Sequence, residues 1–409
     1  MTAELSPAEL IASRAAAQLL SGAAPGDCAA AVSRLVGVQA QAPGPARLAL
    51  RPRTRERTAE DVDRARADGA LVCTWAMRGT LHLLAAADVR WITGLLGPVF
   101  ARAGRRRREQ LGLDEATCRK AFAALEDVLA DGDPLTRPVL VDRLNARGLA
   151  IAPDTQAPPH LLAYAANSGL ICRGPDTEAG DPTYALMDRW VPSATPLPRE
   201  AALAELARRY LTGYGPSTPD DFAAWSGLPL TDAKRAFTAI ASSSVEVKVQ
   251  DRRMLALPDQ LSPRTGAPAR LLGHFDPYLL GYRRRDLVLD PAHTKKVQAG
   301  GGFLQPIATW RGRVVAVWKL EHRTGRSEVA LTPFASLSPA SEAALQEEVT
   351  DLSRFLTRRI AMKAAAPTPG PGGGSPGPLS EPGTASGRRT RSPASRAGGS
   401  APRSDRSGP

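Results

Sequence analysis

Cysteine is scarce and dispersed in this 409-residue chain: Cys28, Cys73, Cys118 and Cys172 stand far apart and form no C-x-x-C pair. That spacing supports neither a disulfide framework nor a zinc site, so we expect no metal, no cofactor and a reduced, cytoplasmic setting. No stretch approaches the roughly 18 consecutive apolar residues of a membrane span, and the first twenty residues lack the basic segment and unbroken apolar core of a secretory leader. No membrane partner is expected. Acidic residues are in deficit, with 41 Asp and Glu against 53 Lys and Arg, a net charge of +12. An excess of this sign points toward a polyanion. Part of it lies in residues 364–409, where Arg388, Arg389, Arg391, Arg396, Arg403 and Arg406 face only Glu381 and Asp405. This Pro-, Gly-, Ser- and Arg-rich stretch cannot build a core and reads as a disordered tether whose grip on a polyanion would fade with salt. The body keeps a moderate excess of +8, compatible with nucleic acid.

At 43% hydrophobic residues, the body can fill two or three cores. It shows a loose threefold repeat in which a helix pair is followed by a short hairpin. In the first copy, helices are predicted over Pro7–Leu20, Asp27–Val36 and Thr58–Asp68, with Asp27 and Thr58 as caps, and strands over Leu71–Trp75 and Thr80–Leu84. The second copy begins with Asp114–Leu129, restarts at Thr136-Arg137-Pro138, and ends in a helix Pro159–Ser168 and a hairpin of Leu170–Arg173 with Tyr184–Met187. The third has helices Glu200–Leu211, Asp220–Ser226 and Thr231–Ala241, then strands Val245–Val249 and Met254–Leu257. Two short helices joined by a Gly-containing turn and followed by a strand pair form a winged helix. Beyond Pro258, strands are expected at Leu271–Leu272, Tyr278–Tyr282, Asp286–Leu289, Gly302–Pro306, Ala308–Trp310, Val314–Leu320 and Ser327–Thr332, closed by a helix Pro339–Thr357. The expected fold class is α+β: winged helices at 1–112, 113–195 and 196–258, a small β-barrel at 259–363 and the tail at 364–409.

The first copy contains an unusual pair of amides. Val32, Leu35 and Val36 make a helical stripe whose next position is Gln39, and Gln41 follows two residues later. An amide against a core needs partners for both its carbonyl and its amino group. Loop glutamines that only bond nearby backbone are the plainer alternative.

Four segments together resemble the AlkZ/YcaQ family of bacterial winged-helix DNA glycosylases. They are Arg34–Gln41, Trp75–Leu83 (Trp-Ala-Met-Arg-Gly-Thr-Leu-His-Leu), Tyr214–Leu228 and Phe275–Tyr282, in family order across about residues 6–356. The resemblance implies three tandem winged helices plus a C-terminal barrel around duplex DNA, with Gln39 and Gln41 as the catalytic Gln-x-Gln motif. It also implies hydrolysis of the N-glycosidic bond of N7-alkylated purines, crosslinks included, in repair or in self-resistance to alkylating natural products. Amides suffice for such chemistry because an N7-alkylated guanine is already cationic and leaves as a neutral base. What remains is to position a water at the sugar.

Candidate DNA contacts are Arg78 and His82 in the first wing, a core histidine bonded to backbone being the equal alternative for His82, and Lys234 and Arg235 on the third recognition helix. Arg252, Arg253, Arg284, His322, Arg323 and Arg326 lie at the tips of later hairpins. The expected partner is double-stranded DNA bearing alkylated purines, bound by a monomer associated with the nucleoid. A non-catalytic winged-helix regulator is the competing reading, but the third helix offers Lys234, Arg235 and Thr238 without Asn or Gln, a poor set for adenine readout.

Overall fold

The computed structural model describes residues 3–363, apart from Ala23, 262–265, Gly301 and 324–325. The tail expected to be disordered lies outside the described residues. Local signals placed most of the helices. Ser6 and Glu9 make a reciprocal capping box at the helix Pro7–Ala17, as do Thr58 with Asp61 at Ala59–Ala67 and Thr218 with Asp221 at Pro219–Ser226. Asp27, Asp114 and Ser338 cap Cys28–Arg34, Glu115–Val128 and Pro339–Phe355. An 18-residue helix, Ala86–Ala103, and a shorter one, Pro43–Leu50, escaped the sequence reading. Gly94, Gly97 and Pro98 punctuate the first, and such residues ordinarily mark loops.

The described strands form three sheets. The first two hairpins are joined through the pairing of Cys73 with Arg173 into one six-stranded sheet. Within it, Val38–Gln39 lies beside Leu81–Ala85, followed by Leu71–Trp75, Ile171–Arg173, Thr183–Leu186 and Leu135–Thr136. The third hairpin, Val245–Val249 with Arg252–Ala256, takes Ala3–Glu4 as a parallel edge strand. A five-stranded sheet runs Arg270–Leu272, Ile307–Trp310, Arg313–Arg323, Arg326–Pro333 and Ile360–Met362 in spatial order, with a register break at Ala308/Thr309.

Three expectations for this last region are corrected. Tyr278–Tyr282 is not a strand: Pro277–Leu280 is helical, with the Asp276 carboxylate accepting from the Tyr278 N–H at 2.8 Å. An Asp cap followed by Pro at the first helical position outweighs the β-propensity of the tyrosines. Asp286–Leu289 forms a turn in which the Val288 and Leu289 amides both return to the Arg285 carbonyl. Gly302–Pro306 contributes only an isolated bridge, Gln298 with Leu304.

The cores explain how the modules are joined. One cluster unites residues of the first and third repeats, including Val32, Leu35, Met77, Leu84, Leu206, Tyr210, Tyr214, Phe222 and Trp225. The second repeat has its own cluster around Leu125, Leu140, Leu161 and Ile171. Ile11 and Ala15 of the N-terminal helix, and Leu20 just beyond it, pack with Leu272, Tyr278, Leu289 and Ile307 of the C-terminal region. The first and third repeats therefore behave as one packed body, which brings Trp225 next to the turn at Arg78.

Candidate functional site

Gln39 does not continue a helical stripe. The helix stops at Arg34, Val36 is left-handed at φ 56°, and Gly37 follows at φ 111°. A Cβ on Gly37 would stand 2.6 Å from Leu84 Cδ2 and 3.1 Å from the Leu83 carbonyl, so only glycine lets the chain approach the neighbouring strand. The chain then enters a short strand with Val38 opposite Leu83 and Gln39 opposite His82, and the Ala40 amide donates to the Leu81 carbonyl at 2.8 Å. Tyr214 Oη donates to the Leu35 carbonyl at 3.0 Å, tying the end of the preceding helix to the third repeat. The expected placement of Gln39 against a core thus arises from strand pairing, and the side chain is half-buried, while Gln41 is exposed.

The two amides are bonded to each other. Gln39 Nε2 donates to Gln41 Oε1 at 2.5 Å, and Arg78 Nη2 donates to Gln39 Oε1 at 2.7 Å. A guanidinium has only donors, so this bond settles which end of the Gln39 amide is oxygen. Each carbonyl keeps one free lone pair, and Gln41 keeps its amino group.

Arg78 itself is held from both sides. Its backbone is left-handed at φ 56°, and Nη1 donates to the Trp225 carbonyl at 2.6 Å. Gly227, just past that helix at φ 80°, has no room for a side chain: a Cβ would stand 2.8 Å from Arg78 Cα and 3.0 Å from Phe100 Cζ. Burial pulls the Arg78 guanidinium down to about 10, still cationic at neutral pH.

His82 is 2% exposed, and burial, then the Arg78 charge, push it down to about 3. Nδ1 lies 2.9 Å from the Thr80 carbonyl, which can only accept, so the ring is neutral with the proton on Nδ1 and a lone pair on Nε2. Cross-strand register places Thr74, His82 and Gln39 side by side on one face of the sheet. Thr74 Oγ1 is buried there without a hydrogen-bond partner. Thr74 was not a sequence candidate; only the register reveals it.

A histidine kept neutral in the fold but protonated when unfolded makes acid destabilising. The unfolded chain binds the proton below about pH 6.5 and the folded chain only near 3, so stability falls as pH drops through that window. The slope is at most about 1.4 kcal/mol per pH unit. Melting temperatures of wild type and His82→Gln between pH 7 and 4 should diverge, with the variant losing the steeper part of the acid slope. Parallel curves would place the acid sensitivity elsewhere.

The other candidates are not drawn into this cluster. Among the described residues, no hydrogen bond or ion pair joins Lys234, Arg235, Arg252, Arg253, Arg284, His322 or Arg326 to it. Lys234 is exposed, and Arg235 is exposed but paired with Glu200 at 2.6 Å. Arg252 lies 3.9 Å from Asp221, Arg253 2.9 Å from Glu246, and Arg284 2.7 Å from Asp286. His322 and Arg326 flank the tip of the long hairpin in the five-stranded sheet, where Arg323 pairs in register with Arg326. His82 takes the place of a core histidine bonded to backbone, and Arg78 is half-buried with its guanidinium on Gln39 and the Trp225 carbonyl. The Arg78 contact with Trp225 joins two distant repeats, which local sequence could not disclose.

The mixed α+β chain joins helix pairs to hairpins and presents two linked amides beside a fixed guanidinium. Residues 32–355 match the family described as DNA glycosylase AlkZ-like, and the chain belongs to that family. It is 32% identical over 350 residues to the interstrand DNA cross-link repair glycosylase of Streptomyces sahachiroi, an alignment covering 79% of this chain and 89% of that protein. The solved structure of the Streptomyces sahachiroi DNA glycosylase AlkZ superposes with a TM-score of 0.74 at 26% identity, covering 88% of this chain and all of that one. No helix among the described residues is long and apolar enough to cross a membrane.

Proposed function

We propose that the protein hydrolyses the N-glycosidic bond of N7-alkylated purines in duplex DNA, interstrand crosslinks included, with Gln39 and Gln41 positioning the water. The observation that carries this reading is the directed chain Arg78 to Gln39 to Gln41, which leaves one lone pair on each carbonyl for the two hydrogens of one water. The water oxygen bonds to the anomeric carbon as the bond to the purine nitrogen breaks. Its electron pair neutralises the cationic ring, and the surplus proton of the attacking water passes to solvent. No strong base is required, which fits two amides and a histidine that stays neutral above about pH 3. Arg78 is a positioning residue in this scheme: its charge would oppose the developing sugar cation, and its contribution is to fix the Gln39 amide.

The same reading divides the chain into winged helices at 1–112, 113–195 and 196–258 and a small barrel at 259–363, arranged along duplex DNA. Its support is the recurring order of helix pair and hairpin, together with a five-stranded C-terminal sheet bearing a register break of the kind that bends sheets. Lys234, Arg235, Arg252, Arg253, Arg284, His322, Arg323 and Arg326 are the proposed backbone contacts, with the protein acting as a monomer at the nucleoid. Surface ion pairs such as those of Arg235 and Arg284 are weak enough to exchange for phosphate.

The test is to incubate the full chain with duplexes carrying either 7-methylguanine or an N7-linked guanine crosslink, and to measure free base by mass spectrometry. Release from either duplex supports the reading, and the pair of substrates separates monoadduct from crosslink processing. Tight binding to both without release would make the protein a lesion reader.

A further inference from the structure

The sheet that carries Gln39 on one face has a cavity on the other. Cys73, Leu83 and Arg173 share that second face by register, Leu81 continues it, and Ala40, Ala46 and Val62 complete the apolar part of the wall. Gln41, just beyond the end of its strand, is on the lip, so one residue is both bonded to Gln39 and part of this cavity. The volume is about 130 Å³. That is close to the roughly 150 Å³ of an engineered protein cavity that holds benzene, so a single ring fits.

The charges on the wall select what kind of ring. Arg47 is paired with Asp63 at 2.7 Å, and Arg66 grips Asp176 through two bonds of 2.9 and 3.2 Å. Arg173 has no such partner. Its guanidinium lies 4.3 Å from the centroid of Tyr184 and 5.7 Å from that of Trp75, and Nε and Nη1 are buried with no hydrogen-bond acceptor. Those two nitrogens are closed off from the cavity, which leaves Nη2, neither buried nor hydrogen-bonded, as the free end of the one unbalanced positive charge among the charged groups lining it. The Cys73 thiol, pushed up to about 11 by burial, stays protonated and serves as a small apolar surface. A phosphodiester fits poorly, since a tetrahedral group has no flat apolar face to lay on Leu81 and Leu83. A flat ring bearing a carbonyl or carboxylate oxygen fits both halves: its face on the aliphatic floor, its oxygen on the Nη2 end of the guanidinium.

We infer that this cavity is a binding subsite for a flat, oxygen-bearing ring, anchored by Arg173 and opening beside Gln41. The inference deepens the glycosylase reading and rests on it only for where the ring comes from. Two sources share the chemistry: the substituent that an alkylating agent leaves on the purine, and the purine released by cleavage.

Binding is measured on the full chain without DNA, by titration calorimetry with benzoate as the stand-in for a substituent and with 7-methylguanine as the released base. At least one compound should bind, and Arg173→Met, which keeps the stem on Tyr184 but removes the fork, should weaken it at least tenfold. Ala40→Leu, which fills the cavity from its lip without touching Arg173, should weaken it as well. Benzoate alone binding would assign the subsite to the lesion's substituent, and 7-methylguanine alone to the departing base. The inference is overturned if neither compound binds at millimolar concentration, or if both variants, folded by circular dichroism, bind as wild type does. Because nothing is cleaved in this experiment, the glycosylase reading can fail while the subsite stands, and the reverse.

Discussion

Replacing Gln39 with Ala will lower single-turnover release of free base by about 100-fold or more while leaving duplex affinity within a few fold, since misplacing a reactant by about an ångström costs roughly that much. Gln39 is the middle of the chain: it receives from Arg78 at 2.7 Å and donates to Gln41 at 2.5 Å. Its loss removes one of the two carbonyl sites and leaves Gln41 without its orienting bond. Gln41→Ala should fall in the same range, and the double variant should lose little more than either alone, because residues acting as a unit are not additive. Arg78→Met should lower kcat by a smaller factor, about tenfold, with KM nearly unchanged, and Arg78→Lys should not restore it, since one ammonium cannot bond Gln39 Oε1 and the Trp225 carbonyl in the same fixed geometry. Measurements under saturating enzyme separate these effects from binding. Full activity in the Gln39→Ala enzyme would end the water-positioning mechanism.

Asp276→Ala will destabilise the fold by about 3–5 kcal/mol, the usual cost of leaving a buried charge without its partner. Arg53 is fully buried, and its guanidinium reaches both Asp276 oxygens at 2.7 and 2.9 Å. It also donates to the Ala49 carbonyl at 2.7 Å and the Gln18 carbonyl at 3.1 Å, so one side chain ties the helix Pro43–Leu50, the N-terminal helix and the C-terminal region together. A fall of roughly 5–10 °C in melting temperature is expected. Asp286→Ala, which removes the exposed partner of Arg284, should change it immeasurably. Equal melting temperatures for wild type and Asp276→Ala would show that Arg53 finds another acceptor. The Asp276 segment was part of the family resemblance, and its conspicuous residues turn out to be architectural: Tyr278 and Tyr282 are buried, and Asp276 caps a helix and neutralises an arginine.

The candidate site was only half legible in the sequence. Gln39 and Gln41 stood out as amides adjoining an apolar stripe, but the stripe gave the wrong reason, since a left-handed Val36 and Gly37 end the helix before it reaches them. Arg78 and His82 were recognisable as residues of interest, and for His82 a core position bonded to backbone was one of two open readings, the one the structure shows. A charge in a turn looks the same on paper whether it faces solvent or a glutamine. Thr74 and Arg173 carried no signal at all, because an unsatisfied buried donor is a property of its neighbours.

By itself the sequence determined what short-range forces decide. Capping at Ser6, Asp27, Thr58, Asp114, Thr218 and Ser338 depends on residues within one helical turn, and the hairpins at 71–85 and 245–256 depend on alternation and a nearby turn. Tertiary structure alone decided that the first two hairpins share a sheet, that the first and third repeats share a core, and that Trp225 and Arg78 meet over Gln39. Those outcomes rest on pairings between segments far apart in the chain, where many partners satisfy the same local pattern and only the simultaneous packing of all of them selects one.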